Sequence, residues 1–155
     1  MLECKWIIIC EKSIRNGETG NISMIEVFDS LEIPPMPEIE PDHQPGDFFW
    51  EQEFDLVICW QKVDDAPVSE IPKQQQKFKL SVVSPHGDTI LDGPLPNLPS
   101  DADKFISVFQ FDGVPHPQEG AYSFEIHESE NDKWIKKQST WLKISIIEAS
   151  DILEE

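Results

Sequence analysis

Apolar and polar side chains alternate residue by residue through residues 119–147. In the first half of this stretch, Tyr122, Phe124 and Ile126 recur at every second position, and the second half repeats the pattern. A period of two places successive side chains on opposite faces of a β-strand, so each half is predicted to be a strand with one buried face and one wet face. The turn formers at 129–132, Ser-Glu-Asn-Asp, predict that the two strands fold back as an antiparallel hairpin.

Extended stretches also occur upstream of this hairpin. They cover residues 2–10, 21–33, 47–63, 74–84, 89–91 and 104–111. Asp29 breaks the apolar face of the second stretch, which predicts a bulge or a strand end there. On the third stretch, Trp50 and Trp60 share the parity of the core-facing residues. Because turn signals separate the stretches and no amphipathic helical pattern occurs, we predict an all-β chain, a single antiparallel β-sandwich of seven to eight strands.

The length of 155 residues suits one domain whose core needs no disulfide or metal. We predict a β-sandwich domain over residues 1–147 and an acidic carboxyl-terminal tail over residues 148–155. Proline lacks a backbone donor, so the proline-rich segments 34–46 and 93–103 are predicted to be surface crossovers rather than central strands. The first of them has a second interpretation, as an extended ligand for the groove of an aromatic-rich module.

Three cysteines, Cys4, Cys10 and Cys59, are an odd number without CxxC spacing, and each lies among large apolar residues. They are predicted to be buried, reduced thiols rather than a metal or redox site. The apolar run at residues 6–10 is too short for a membrane span or a signal-peptide core. Both observations favour a cytoplasmic protein.

The chain is strongly acidic, with 30 Asp and Glu against 12 Lys and Arg and a formal charge of -18. At 39% hydrophobic residues it is nevertheless too apolar for a disordered chain. A negative surface repels phosphate backbones and anionic lipid headgroups. We therefore expect no direct binding to nucleic acid or membranes, and a protein partner, which could be a basic one.

Residues 119–124, Glu-Gly-Ala-Tyr-Ser-Phe, resemble the corner of immunoglobulin-like domains, where a tyrosine ties the corner back to the backbone. Trp60 matches the central tryptophan of such domains, whereas Phe124 stands where their second cysteine would be. The resemblance implies an immunoglobulin-like sandwich without the disulfide between the sheets.

A second resemblance spans most of the chain. It is carried by Cys-Lys-Trp-Ile-Ile-Ile-Cys-Glu-Lys from residue 4, by Asn-Ile-Ser-Met-Ile-Glu-Val-Phe-Asp-Ser-Leu from residue 21, by the Val-Val-Ser-Pro-His-Gly-Asp turn and by the Gly-Ala-Tyr-Ser-Phe corner. These segments are similar to a small uncharacterised bacterial family of β-sandwich proteins. The resemblance implies a β-sandwich, and it implies no activity, cofactor or catalytic residue.

Recognisable catalytic and metal-binding motifs are absent from the sequence. The sequence has no Gly-x-Ser-x-Gly elbow and no glycine-rich loop that opens a helix. Its four histidines, His43, His86, His116 and His127, lack the short spacing of zinc ligands. We predict no catalytic residue, cofactor or metal; an enzyme would need side chains from separate loops to converge in a pocket.

Calcium is the better metal candidate, because aspartates are frequent in the loops and could meet at one end of a sandwich. These aspartates are Asp64, Asp65, Asp101, Asp103 and Asp112. The alternative is that they are solvated loop residues.

The residues predicted to contact a partner are Trp134, Trp141, Lys137 and Lys143. Trp141 shares its parity with both lysines, which places an aromatic ring on the polar outer face of the last strand. Such a ring indicates a contact surface for a protein partner or for a second copy of the chain. The alternative is that a loop or the tail covers it.

The favoured function is therefore a non-enzymatic protein-protein interaction module. The second hypothesis is an acidic mimic of nucleic acid that inhibits a DNA-binding enzyme by presenting carboxylates in place of phosphates. Its sequence basis is the run Glu51, Glu53 and Asp55, together with Glu125.

Overall fold

The computed structural model describes residues 1–34, 49–63, 76–96, 103–115 and 117–147. Within these ranges the chain forms strands and no helix, which confirms the predicted all-β class. None of these residues therefore supplies a helix that could span a membrane. The strands are β1 (Leu2–Arg15), β2 (Ile22–Val27), β3 (Ser30–Ile33), β4 (Phe49–Lys62), β5 (Phe78–Val83), β6 (Thr89–Pro94), β7 (Lys104–Pro115), β8 (Gly120–Glu130) and β9 (Lys133–Ile146).

These strands form two sheets. The four-stranded sheet has the order β2-β1-β4-β7 and is antiparallel throughout. The five-stranded sheet has the order β3-β9-β8-β5-β6, and its β3–β9 pair is parallel. The described residues thus hold nine strands instead of seven or eight, and the sandwich is not purely antiparallel.

Both differences arise where the predicted second strand divides. β2 ends at Val27 in the four-stranded sheet, and β3 begins at Ser30 in the other sheet. Between them the Phe28 N–H donates to the Ile9 carbonyl at 3.0 Å, while the Lys143 N–H donates to the Asp29 carbonyl at 2.8 Å. The chain therefore crosses from one sheet to the other at this point. The strand end predicted near Asp29 is confirmed.

The core lies between the sheets and is built mainly from residues of β1, β4, β5, β8 and β9. The Phe54 ring stacks on Phe111 with centroids 5.0 Å apart and meets the edge of Phe124 at 6.0 Å. Trp60 is fully buried and Trp50 is half-buried against the same core, so the inward positions predicted for both are confirmed.

The corner before β8 is held by a hydrogen bond across four residues. The Gln118 N–H donates to the Tyr122 hydroxyl at 2.8 Å. Burial raises the pKa of Tyr122, and this hydrogen bond only partly offsets the rise. At the start of the strand, Gly120 adopts a φ of +128°, which side chains rarely allow.

All three cysteines are buried and unpaired, as predicted. Burial is the main cause that raises the pKa of Cys4 to about 12, with smaller contributions from Cys59 and Glu3. Burial also raises the pKa of Cys10. Both thiols are therefore protonated and unreactive at neutral pH.

The end of β1 covers part of the outer face of the four-stranded sheet. The backbone N–H and the hydroxyl of Ser13 both donate to the Asp55 carboxylate, at 2.8 and 2.7 Å. The Arg15 guanidinium donates to the Ile106 carbonyl of β7 at 2.8 Å. Val57 and Cys59, which face outward from β4, are almost fully buried.

Several predicted segments fall outside the described residues. They are the first proline-rich segment after residue 34, the polar loop predicted at 64–72, the first two residues of the stretch predicted at 74–84, most of the second crossover and the tail at 148–155. Gly93 and Pro94, which were predicted to open the second crossover, instead form the end of β6.

Candidate interaction surface

The outward side chains of β8 and β9 form most of the outer face of the five-stranded sheet. In the antiparallel register, Ser123 lies opposite Trp141 and His127 lies opposite Lys136. The residues of this face are Ala121, Ser123, Glu125, His127 and Ser129 on β8, and Trp134, Lys136, Ser139, Trp141 and Lys143 on β9.

Two tryptophans stand out from this otherwise polar face. Trp141 is 66% exposed and Trp134 is 43% exposed. The outer-face position predicted for Trp141 is confirmed. Their partners on β8, Ser129 and Ser123, are six positions apart, which corresponds to about 20 Å at roughly 3.3 Å per residue.

The Trp134 ring of β9 contacts a lysine from β5, two strands away in the same sheet. The Lys79 ammonium of β5 lies 5.0 Å from the ring centroid, within the range of a cation–π interaction. Lys79 also pairs with Asp92 of β6 at 3.1 Å, and Asp92 accepts a 2.6 Å hydrogen bond from Ser81. The bond from Ser81 and then the bond from Lys79 lower the pKa of Asp92, which keeps the carboxylate charged.

Between the tryptophans lies a polar network centred on Glu125. Its carboxylate accepts a hydrogen bond from the Ser123 hydroxyl at 2.8 Å, lies 3.0 Å from His127 Nε2 and lies 3.8 Å from the Lys136 ammonium. Burial alone would raise the pKa of Glu125. The Ser123 and His127 hydrogen bonds and the charge of Lys136 outweigh burial, so the pKa lies below its usual value.

Ser123, Glu125 and His127 are the residue types of a hydrolase triad, but their hydrogen bonds connect them in a different order. In a triad the imidazole accepts the serine proton and the carboxylate supports the imidazole from behind. Here the carboxylate lies between the other two groups, and Ser123 donates to it directly. This arrangement gives Ser123 no imidazole base, and it links residues of the face between the two tryptophans.

Of the four residues predicted to contact a partner, Trp134, Trp141 and Lys143 share the outer face, whereas Lys137 does not. The register shifts between Ile126 and His127, which leaves Lys137 as the extra residue of a bulge on β9. Its ammonium pairs with Glu130 at 2.5 Å, and this hydrogen bond raises the pKa of Lys137. Lys136 takes the outward position instead.

The carboxylates that suggested a nucleic-acid mimic divide between two surfaces. Glu51 and Glu53 are exposed and, with Glu11, line a shallow depression on the outer face of the four-stranded sheet. Asp55 lines the same depression but is buried beneath Ser13, and Glu125 belongs to the other sheet. Only part of the predicted array therefore lies on one surface.

The candidate calcium ligands Asp64, Asp65 and Asp101 lie outside the described residues, as do His43 and His116. Asp103 and Asp112 are exposed. The described part of the chain holds no group of three or more His, Cys, Asp or Glu side chains placed to bind a metal ion.

The sequence did not single out Lys79 or Lys136 as residues of this surface. Lys79 lies on β5, and only the pairing of β5 with β8 brings it beside Trp134.

A scan with models of known protein families finds no match to this chain, and a search of curated proteins finds no similar sequence either.

Proposed function

We propose that this chain is a non-enzymatic protein-interaction module that binds a protein partner through the outer face of its five-stranded sheet. The observation that carries the proposal is the exposure of Trp141, 66% of whose surface is accessible on an ordered and otherwise polar strand face. Tryptophan is enriched among the few residues that supply most of the binding energy of an interface. An exposed indole on a rigid strand also loses little conformational freedom on binding.

The spacing of the two tryptophans fits one interface. At about 20 Å apart, Trp134 and Trp141 both fall within one side of a standard interface, which buries about 800 Å² per partner. The Glu125 network and the cation–π contact of Lys79 fix the surface between them before a partner arrives. Preorganisation of this kind lowers the cost of association.

The charges of the surface suggest the chemistry of the partner. The net charge of -18 attracts basic proteins from a distance. Close to the tryptophans, however, the exposed Lys136 and Lys143 require carboxylates or carbonyls on the partner. The partner therefore offers an apolar pocket for Trp141 with acceptor groups at its rim, and a second copy of this chain is the other candidate.

The proposal extends to the type of sandwich and its compartment. The bond between Gln118 and the Tyr122 hydroxyl and the buried Trp60 support an immunoglobulin-like fold. Buried free thiols at Cys4, Cys10 and Cys59 support a reducing compartment, the cytoplasm.

The replacement Trp141→Ser tests the proposal, with Val27→Ser as its matched control, since Val27 is 61% exposed on a strand of the other sheet. We expect both variants to keep the stability of the wild type within about 0.5 kcal/mol. A protein captured by the wild type, then purified, should bind the Val27 variant normally and bind Trp141→Ser about 30-fold more weakly, a loss of about 2 kcal/mol. Sedimentation velocity compares the self-association of the wild type with that of the two variants.

Two results would contradict the proposal. Unchanged affinity of Trp141→Ser for that partner, with no change in self-association, would remove the tryptophan from the interface. A loss of several kcal/mol in unfolding free energy would show that Trp141 serves packing instead.

The acidic mimic is the second candidate, and the depression lined by Glu11, Glu51 and Glu53 favours it. A mimic should compete with duplex DNA for a DNA-binding enzyme. The double variant Glu51→Gln and Glu53→Gln should lose this competition, whereas Trp141→Ser should keep it. If the chain is an interaction module instead, Trp141→Ser should lose binding to the protein partner, and the double glutamate variant should keep it.

A further inference from the structure

An apolar cleft of about 480 Å³ lies between the two sheets, on the side where β6 and β7 are the edge strands. Its walls come from inward residues of both sheets, including Phe54, Val82 and Phe124, and Leu91 of β6 and Phe109 of β7 line it from the two edge strands. On the opposite side of the sandwich, β1 and β9 approach each other, and the Gln138 amide donates to the Lys5 carbonyl at 3.1 Å. Within the described residues no ladder pairing joins β6 to β7.

Part of the apolar lining of the cleft stays in contact with solvent. Leu91 is 40% exposed although its partner Val82 is buried, and Phe109 and Phe111 are only partly buried. Burying such surface against an apolar molecule is favourable, because it removes apolar area from water. A volume of this size is within the usual range for sites that hold one small molecule.

The polar groups around the cleft restrict the class of ligand. Among the described residues that line it, Asp112 alone carries a charge, and that charge is negative. The Tyr122 hydroxyl already accepts the Gln118 N–H. A ligand with an anionic head would meet Asp112 and the acidic surface of the whole chain without a cation to receive it.

Gly93 is the feature that makes the cleft testable. It lines the cleft on β6, and a Cβ added there would meet no atom within 4 Å. A larger side chain at this position therefore enters the open space. Gly17, in the turn between β1 and β2, likewise has nothing within 4 Å of an added Cβ, and it is not part of the lining.

We infer that this cleft is a binding site for one uncharged lipophilic molecule, such as a compact aromatic or isoprenoid compound. The site goes beyond the proposed function and uses none of its residues. The ligand inserts between the sheets past Leu91 and Phe109 and packs against the aromatic cluster of Phe54, Phe111 and Phe124.

The test compares two fluorescent probes that share one ring system. N-phenyl-1-naphthylamine is neutral, and 8-anilino-1-naphthalenesulfonate adds a sulfonate to the same rings. We expect the neutral probe to bind the folded wild-type chain with one-to-one stoichiometry and at least tenfold more tightly than the sulfonate. Gly93→Leu should weaken the neutral probe at least tenfold while keeping the wild-type unfolding midpoint, and Gly17→Leu should leave binding unchanged.

Each other outcome overturns the inference. Failure of the neutral probe to bind, equal binding of both probes, or equal loss in the two glycine variants would show that the cleft is not a selective site. If Gly93→Leu does not fold, Gly93→Ala replaces it and must weaken binding in the same direction. Trp141→Ser should bind the neutral probe normally, so failure of this site and failure of the proposed interaction module are distinguishable.

Discussion

Glu125 shows how single residues on the outer face depend on one another. Its carboxylate remains charged because Ser123, His127 and Lys136 surround it, although burial opposes the charge. A carboxyl group whose folded-state pKa is depressed stabilises the fold above its unfolded pKa, about 4.3 for glutamate, and this stabilisation is lost as the pH falls through the folded-state value.

Replacing Ser123 should therefore have an effect that depends on pH. Ser123→Ala removes a 2.8 Å hydrogen bond to the carboxylate and should lower the unfolding free energy by about 1 kcal/mol at pH 7. The difference from the wild type should shrink as the pH drops below the usual glutamate pKa, because the carboxyl group is then protonated in both proteins. Urea unfolding at several pH values measures this.

The control for this prediction is Ser139→Ala, because Ser139 lies directly opposite Glu125 on β9. Its effect on stability should be the same at every pH. A Ser123→Ala effect that persists undiminished at low pH would contradict the assigned role of the hydrogen bond.

For single residues, the sequence predicts exposed apolar side chains better than it predicts buried acidic ones. The outward position of Trp141 follows from strict alternation, because Leu142 and Ile144 fix the inward parity on its carboxyl-terminal side. Asp55 shares the parity of Glu51 and Glu53, so the alternation predicts that all three lie on one solvent-exposed face. Asp55 is buried because Ser13, 42 residues away, folds over it, and no local pattern reports such a contact.

Among the strands, β9 best explains why the proposed surface is a face and not an edge. β3 pairs only with Lys143 to Ile146, and no strand within the described residues pairs with the rest of that side of β9. This remaining edge carries Lys133, Lys136 and Lys137 and the bulge. Charged side chains and bulges both discourage the addition of another strand, so we expect the proposed partner to bind across the outer face.

The bulge also shows where prediction by parity fails. Alternation reveals a change of phase only when apolar residues continue on both sides of it. From Lys136 to Ser139 every residue is polar, so the extra position at Lys137 leaves no mark in the sequence. The second stretch behaves differently, because Asp29 breaks its apolar face and thereby marks the true boundary between β2 and β3.

The turn that enters β8 gives a prediction for one element. Gly120 has a φ of +128°, and a Cβ there would lie 2.8 Å from the Pro85 Cβ. Gly120→Ala should therefore lower the unfolding free energy by roughly 2 kcal/mol or more, from backbone strain and the clash together.

Thermal unfolding measures this effect, with Gly17→Ala as the control. An added Cβ at Gly17 meets nothing, and its φ is not in the restricted region. The control should unfold within about 0.5 kcal/mol of the wild type. A Gly120→Ala variant as stable as the control would contradict the close approach of Pro85 to the corner.

For the molecule as a whole, a charge of -18 on 155 residues is a source of repulsion in the folded state. Raising sodium chloride from 10 to 200 mM shortens the Debye length from about 30 Å to below 10 Å. We expect a stabilisation of about 1 kcal/mol, seen as a rise of about 2–4 °C in the melting temperature. A melting temperature that falls with salt would show that ion pairs such as Lys79–Asp92 outweigh the repulsion.

The all-β class and the inward face of the core strands follow from the sequence, because the period of two is continuous over most of the chain. The distribution of strands between sheets does not follow. Parity states which face of a strand is buried but not which strand lies beside it. Alternation therefore does not determine that β5 pairs with β8 or that β3 and β9 form a parallel pair. The surface around Trp134 depends on that placement, since its lysine comes from β5.

The order of strands in the four-stranded sheet has a consequence for how the protein forms. β1 pairs along most of its length with β4, which begins more than thirty residues after β1 ends, and β4 in turn pairs with the still more distant β7. Closing such long loops costs chain entropy before any contact compensates for it. Acquisition of the native structure is therefore governed by encounters between remote segments, which places it on the millisecond-to-second time scale typical of chains with high contact order.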